Sequence, residues 1–271
     1  MRVLIIGLGN MGKNHLRMIR KLLRTTAHEL KTCDLKEKAD YNDYKKAIDD
    51  FVPTHVLIAT TTSTHEDILD YCVEKKVPKI FVEKPLIEEG DGRKYYDDIK
   101  DSQIMVGHIE RYNPVILIMQ NLLKGKEIDT IICTRSGLIK EEPDFNLHLD
   151  LCIHDIDVCQ VLTSHMKFGS TKMLSKNIKS NSCNLLTNIN GADCFFHADN
   201  KSPFKRRDIK VMGPGFFCEA DYMNQTLTYN GERIPVTKEE PLKIELIHFF
   251  YERITKQDLL EAIINLRIAR G

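Results

Sequence analysis

Three residues have side chains suited to bond-making work, and their spacing suggests how they would be used: Lys84, Asp150 and His154. Lys84 stands in Phe81-Val82-Glu83-Lys84-Pro85, where an apolar strand ends in a charged pair and a proline. In an open parallel sheet the carboxyl ends of the strands line the ligand crevice, so a lysine there faces whatever is bound. Its amine can donate to, or exchange a proton with, a reacting oxygen. A solvated lysine ahead of a turn is the plainer alternative, since a proline stops a strand in any case. Asp150 to Leu162 carries helical spacing, and on such a helix Asp150, His154 and Asp157 share a face. A carboxylate one turn from an imidazole fixes its tautomer and raises its basicity, as a general base for an alcohol requires. The same residues also read as a surface histidine between solvated acids, or as a metal site with His148, Asp150 and His154 as ligands.

The elements that would position these groups begin at the first residues. Arg2 to Ile6 reads as a buried strand, followed by Gly7-Leu8-Gly9-Asn10-Met11-Gly12 and a helix to about Arg24. Gly7 permits the tight turn, Gly9 lets backbone amides approach a pyrophosphate, and Gly12 lets the helix pack close to the strand. Asn10 and Met11 complete this cofactor-binding turn. His15, one turn into the helix, reads as a packing or capping residue. A second strand, Glu29 to Asp34, ends on an acid that can accept both ribose hydroxyls of NAD and repel the 2'-phosphate of NADP. Lys36 and Lys38 soften that repulsion, so NAD is favoured over NADP. Thr60, Thr61 and Thr62 close a third strand and are expected to border the cofactor with His65, Glu83 and Lys84. A polar loop and helix cap is the alternative for the threonines.

Strands and helices alternate to Gly107, with helices expected at Tyr41 to Asp50, His65 to Lys76 and Glu88 to Lys100. This predicts α/β architecture, a Rossmann doubly wound parallel sheet. Beyond Pro114 the pattern becomes that of several consecutive strands. The expectation is two domains, a nucleotide-binding one over 1–114 and an α+β one over 115–271 with a largely antiparallel, open-faced sheet. The Asn230-Gly231 pair is a hairpin signal. Helices over 239–254 and 257–270 close the chain, the last expected to pack back on the first domain. A sheet covered on one side only would leave residues such as Leu185, Ile209 or Val211 facing outward, which predicts a homodimer or homotetramer.

Composition narrows the class. The 271 residues are 42% hydrophobic, enough for two cores, and 39 basic residues balance 39 acidic ones. Nothing in that balance asks for nucleic acid or an anionic membrane. Eight cysteines without a CxxC pair, no membrane-length apolar run and no signal-peptide pattern point to reduced thiols in a cytoplasm.

Four segments carry a resemblance: Gly7 to Gly12, Glu83-Lys84-Pro85, Gly107-His-Ile-Glu-Arg111-Tyr-Asn113-Pro114, and Asp150 to His154 with Asp155-Ile-Asp157. In this order they resemble the glucose-fructose oxidoreductase and inositol dehydrogenase family, Gfo/Idh/MocA. The resemblance implies an NAD(P)-dependent sugar or polyol oxidoreductase, an oligomer-forming open sheet, and Lys84, Asp150 and His154 as the catalytic set. Within the family the chain looks most like archaeal-type UDP-N-acetylglucosamine 3-dehydrogenases, on Gly107 to Pro114, Ser202 to Arg207, Ala220 to Gln225 and Glu240 to Leu246. The expected substrate is therefore a sugar or nucleotide sugar, with Arg111 and Asn113 near the sugar and Lys205, Arg206 and Arg207 on a diphosphate. An inositol or free-sugar dehydrogenase is the alternative within the family, and a non-catalytic NAD-binding regulator the alternative outside it. The chain departs from the family at the threonine run, at Lys75-Lys76 in place of a glycine, and at Asn146-Leu-His148.

Overall fold

Val3 to Ile6, Val56 to Ile58 and Ile80 to Val82 are unbroken apolar runs, and a strand can bury such a run only when both faces of its sheet are covered. That is their setting in the computed structural model, which describes residues 1–24, 28–90, 92–98, 101–138, 147–166 and 171–270. Two compact units are present: Met1–Gly107 with Leu242–Ile263, and His108–Pro241 with Ile264–Gly271. In the first, β1 (Arg2–Ile6), β2 (Glu29–Cys33), β3 (His55–Ile58), β4 (Lys79–Glu83) and β5 (Gln103–Gly107) form a parallel sheet in the order β2-β1-β3-β4-β5. The order reverses beside β1, the position at which open α/β sheets bind ligands.

Helices α1 (Asn10–Leu22), α2 (Tyr44–Phe51), α3 (His65–Glu74) and α4 (Arg93–Asp98) connect these strands. α2 starts later than its apolar spacing suggests because Tyr41 bridges to Cys33 and Asp43 caps the helix, accepting from the N–H groups of Lys45 and Lys46. α4 is shorter than the expected helix, since Gly90 and Gly92 hold the preceding chain at φ +73° and +71°. After α3, Lys76 takes the left-handed conformation at φ +54°, a position that usually selects glycine.

The second unit opens with a 3-10 turn (Ile109–Tyr112) and α5 (Pro114–Leu123), where the Val115 N–H donates to the Asn113 side chain. Its sheet comprises β6 (Thr130–Leu138), β7 (Lys172–Ile178), β8 (Ser182–Ile189), β9 (Ala192–Asp199), β10 (Lys201–Gly213), β11 (Phe216–Asp221), β12 (Thr226–Tyr229) and β13 (Glu232–Ile234). The order is β13-β12-β11-β10-β6-β9-β8-β7; β6 and β9 run parallel and the other pairs antiparallel. Asn230 and Gly231 form the β12–β13 turn with φ +50° and +82°, the geometry that a two-residue hairpin demands. A π-helical turn (His148–Cys152) leads into α6 (Ile153–Thr163), which packs with α5 on one face of this sheet.

The outward set named from sequence is corrected here. Leu185, Ile209 and Val211 are fully buried beneath the helices, and the opposite parity of the strands faces away from them. Strand alternation defines two sets of side chains, but only the helices decide which set is inside. The open face carries Leu186, Phe195, Ile132 and Phe217 among Asn184, His197, Lys210 and Glu219, a mixed surface.

The chain then contributes α7 (Pro241–Tyr251) and the first part of α8 (Lys256–Arg270) to the first unit. Phe249 packs edge-on against Phe81, with ring centres 5.6 Å apart. Lys79 Nζ donates to the carbonyls of Phe249, Phe250 and Glu252 at 2.7 to 3.3 Å and so caps the end of α7. Among the described residues no helix is long and apolar enough to cross a membrane.

Candidate functional site

The glycine turn owes its shape to the absence of side chains. Gly7 adopts φ +96°, and a Cβ there would lie 2.5 Å from the Ala59 carbonyl oxygen at the end of β3. A Cβ on Gly12 would fall 1.9 Å from the carbonyl oxygen of Gly7, so any other residue would force α1 away from β1. A Cβ at Gly9 would meet nothing within 4 Å, and Gly9 caps α1 with no side-chain bond. The first amides of the helix are thereby presented on an open side, suited to phosphate oxygens. Asp34, just past β2, accepts from the N–H of Leu8 at 2.6 Å and from those of Lys36 and Glu37 at 2.8 Å. Partial burial pushes its pKa up, but these three donors outweigh that and hold the carboxyl below its usual range. An ionised carboxylate fixed against the turn fits the ribose of NAD. These residues therefore suit the dinucleotide: Gly7, Gly9, Asn10, Met11 and Gly12 for its phosphates and Asp34 for its ribose.

The turn that carries Lys84 is held by two histidines. His15, fully buried on α1, places Nε2 2.7 Å from Glu83 Oε1 and packs edge-on against Phe81. His65, buried at the start of α3, has Nδ1 2.9 Å from the Pro85 carbonyl and Nε2 3.2 Å from that of Thr60. Burial pushes the pKa of His65 down, so the neutral ring donates through Nδ1 to Pro85, the shorter contact. Glu83 and His65, expected at the cofactor, thus fasten the Glu83-Lys84-Pro85 turn to α1 and α3. Thr60 accepts from the Thr64 hydroxyl at 2.8 Å, and Thr61 precedes a 3-10 turn over Thr62–Thr64. Lys84 itself is half-buried. The partnership of His15 with Glu83 is the contact that sequence reasoning missed; the available signal was an acid closing an otherwise apolar buried strand, which requires a partner.

In the second unit, Asp150 lies in the π turn and His154 at the head of α6, both half-buried. The carboxylates that follow have another task. Arg135 on β6 donates to Asp155 through Nε at 2.8 Å and Nη2 at 3.0 Å, and to Glu110 through Nη1 at 3.1 Å. Asp157 accepts from Nε of Arg111 at 2.9 Å, from Nη2 of the same guanidinium, and from Asn265 at 2.7 Å. Burial pushes the pKa of Asp157 up, yet Arg111, His108 and Asn265 hold it below the usual carboxylate range. Asp157, fully buried, is therefore a framework residue, while Asp150 and His154 stay half-buried; the π turn ahead of α6 alters only the offset of Asp150 from the helix. Arg111 is committed to Asp157, and Asn113, buried, donates to the Tyr222 carbonyl at 3.2 Å while capping α5. Both contribute to the frame of the unit.

The basic run is divided by strand alternation. Arg206 lies on the open face, paired with Asp208 through Nε and Nη2 at 3.0 Å. Arg207 lies on the covered face opposite Arg135, and Lys205 beside Gly137. Arg206 and Arg207 thus leave β10 on opposite faces, although all three cations border one cavity of about 300 Å³ with Asp208, Glu219 and Asp221. The side chain of His148, and Asn146, lie outside the described residues. Among the described residues no cluster of histidine, cysteine or acidic side chains is arranged to hold a metal ion.

A five-stranded parallel sheet, a side-chain-free turn at its switch point and an ionised acid after its second strand define a Rossmann domain fitted to NAD. Residues 1–108 match the model of the Gfo/Idh/MocA oxidoreductase family, described as an NAD-binding Rossmann fold. The match covers Met1–Gly107 of the first unit, which resembles the NAD-binding domain of that family. No curated protein matches the sequence. Among solved structures, UDP-N-acetylglucosamine 3-dehydrogenase GnnA from Acidithiobacillus ferrooxidans is similar at TM-score 0.83 and 19% identity, over 100% of this chain and 95% of that one. An oxidoreductase from Agrobacterium radiobacter in complex with NAD+, L-tartaric acid and magnesium is similar at TM-score 0.79 and 15% identity, over 98% and 94%. One from Thermotoga maritima is similar at TM-score 0.80 and 12% identity, over 99% and 94%.

Proposed function

We propose that the protein oxidises a secondary hydroxyl of a nucleotide sugar, with the 3-hydroxyl of UDP-N-acetylglucosamine as the specific substrate. The observation that carries the reaction type is a half-buried imidazole, His154, on a helix whose next two acids are locked by arginines, which leaves Asp150 as its nearby carboxylate in sequence. The name of GnnA, similar along its whole length, supports the substrate. When bound, NAD supplies a hydride acceptor. A carbonyl forms only if the hydroxyl proton leaves with the hydride, so a base is required. His154 takes that proton, Asp150 orients the imidazole, and Lys84 donates a hydrogen bond that stabilises charge developing on the oxygen. The eight cysteines are unbridged, which suits a cytoplasmic protein, and the mixed open face of the second sheet is the surface through which we expect a dimer or tetramer.

The test is a screen of UDP-sugars, free hexoses and inositols for growth of the reduced-nicotinamide absorbance. UDP-N-acetylglucosamine should give the largest kcat/KM. Turnover of inositol or glucose with none on any UDP-sugar would overturn the nucleotide-sugar reading, and no turnover on any alcohol would favour a regulator.

A further inference from the structure

A cavity of about 300 Å³ opens within the second unit, lined by Arg135, Ser136, Gly137, Leu138, Leu151, Lys205 and Arg207. Its floor is an unusual pairing of like charges, for Arg207 and Arg135 are directly opposed across β10 and β6. Like charges so placed repel unless acids intervene. The acids are unequally shared. Arg135 takes both oxygens of Asp155 and one of Glu110 within 3.1 Å, whereas Arg207 reaches the same Glu110 oxygen only at 3.8 Å. Lys205 has no carboxylate partner among the described residues. Three cations therefore face two acids, and the two acids are drawn to the cation farthest from the opening.

One wall is made by Lys205 packed closely on a glycine. Opposite Lys205 the chain has Gly137, where a Cβ would stand 3.3 Å from Lys205 Cγ and 3.4 Å from its Cα. The β6–β10 register breaks between Lys201 and Arg206, which displaces Lys205 from regular pairing. Leu151, on the other side, belongs to the π turn that carries Asp150.

We infer that Lys205 and Arg207, without Arg206, form a phosphoryl-binding subsite in this cavity, which takes the diphosphate of the substrate. The inference rests on the nucleotide-sugar reading and adds the residues that would enforce it. A guanidinium with most donors uncommitted matches phosphate oxygens in a planar fork, and the ammonium adds a point charge. An oxyanion there would supply the negative charge that Glu110 and Asp155 give mainly to Arg135.

Calorimetric titration of the full chain with UDP, in saturating NAD so that the Rossmann turn is filled, tests this. Arg207→Ala and Lys205→Ala should each weaken UDP at least about tenfold, Gly137→Val should do so with every charge kept, and Arg206→Ala should change it less than twofold. The NAD affinity of each variant, measured alongside, reports whether it is folded, and Arg207→Lys should retain part of the binding if Arg207→Ala does not fold. Equal losses for Arg206→Ala and Arg207→Ala, or UDP binding that survives both Lys205→Ala and Gly137→Val, would overturn the subsite. Failure of the substrate reading is distinguishable: UDP binding lost in these variants with no turnover of UDP-sugars by the parent protein would keep the subsite, and a screen of sugar phosphates would then name the ligand. Turnover of a UDP-sugar unaffected by the Lys205 and Arg207 changes would do the reverse.

Discussion

At the glycine turn the defining contacts are made by backbone, whereas around α6 they are made between charged side chains. Gly7, Gly9 and Gly12 act by having no Cβ, and even Asp34 is held by three main-chain N–H groups. Around α6, by contrast, Arg135, Asp155, Glu110, Arg111 and Asp157 hold one another, all with little or no exposure. A backbone site is specified by steric exclusion over a few consecutive residues. A charge network is specified by pairs far apart in sequence, and each pair repays the desolvation of its ions only when its geometry is complete.

That contrast predicts different failures. Gly12→Val should be the most damaging single change: its side chain would overlap the Gly7 carbonyl, and NAD binding measured by calorimetry should disappear. Retained NAD affinity would mean that α1 can move without cost and that the backbone argument is wrong. Arg135→Ala should instead destabilise the second unit by about 3–5 kcal/mol in urea unfolding, because two buried acids lose their cation. Replacing Arg135 and Asp155 together by Met and Leu should be far less costly, and if it is not, packing rather than charge holds α6.

Smaller effects sharpen the division between framework and chemistry. Lys84→Ala and His154→Ala should each lower turnover by on the order of a hundredfold with NAD binding nearly intact, and Asp150→Asn should lower it less. A His154 variant with near-normal turnover would move the base to Lys84. Asp34→Ser, the mildest, should narrow the preference for NAD over NADP in paired affinity measurements. An unmodified protein that prefers NADP would show that Lys36 or Lys38 outweighs the carboxylate.

How much was readable follows from the same contrast. The Rossmann unit was legible because its signals are local: a strand, three glycines at fixed spacing, and an acid ending the next strand. The Asn230-Gly231 hairpin was legible for the same reason. Asp157 was misplaced because helical spacing does not tell which positions are buried, and its partners Arg111 and Asn265 lie 46 and 108 residues away. Leu185, Ile209 and Val211 were assigned outward because alternation reveals parity without revealing which side the helices cover. Arg206 and Arg207 were grouped by adjacency, although alternation along β10 sends them to opposite faces.

The hold of Lys79 on the end of α7 has a consequence in time. Lys79 and Phe249 are 170 residues apart, so on a ribosome the cap and the Phe81–Phe249 contact must wait for almost the entire chain. At ordinary elongation rates that interval is roughly 10–30 s. Throughout it the five parallel strands exist as nascent chain while His55 and Phe81 lack the aromatic cover that α7 later gives them. The half of the protein made first is thus among the last to be finished, and during synthesis it exposes an apolar surface of the kind that chaperones bind.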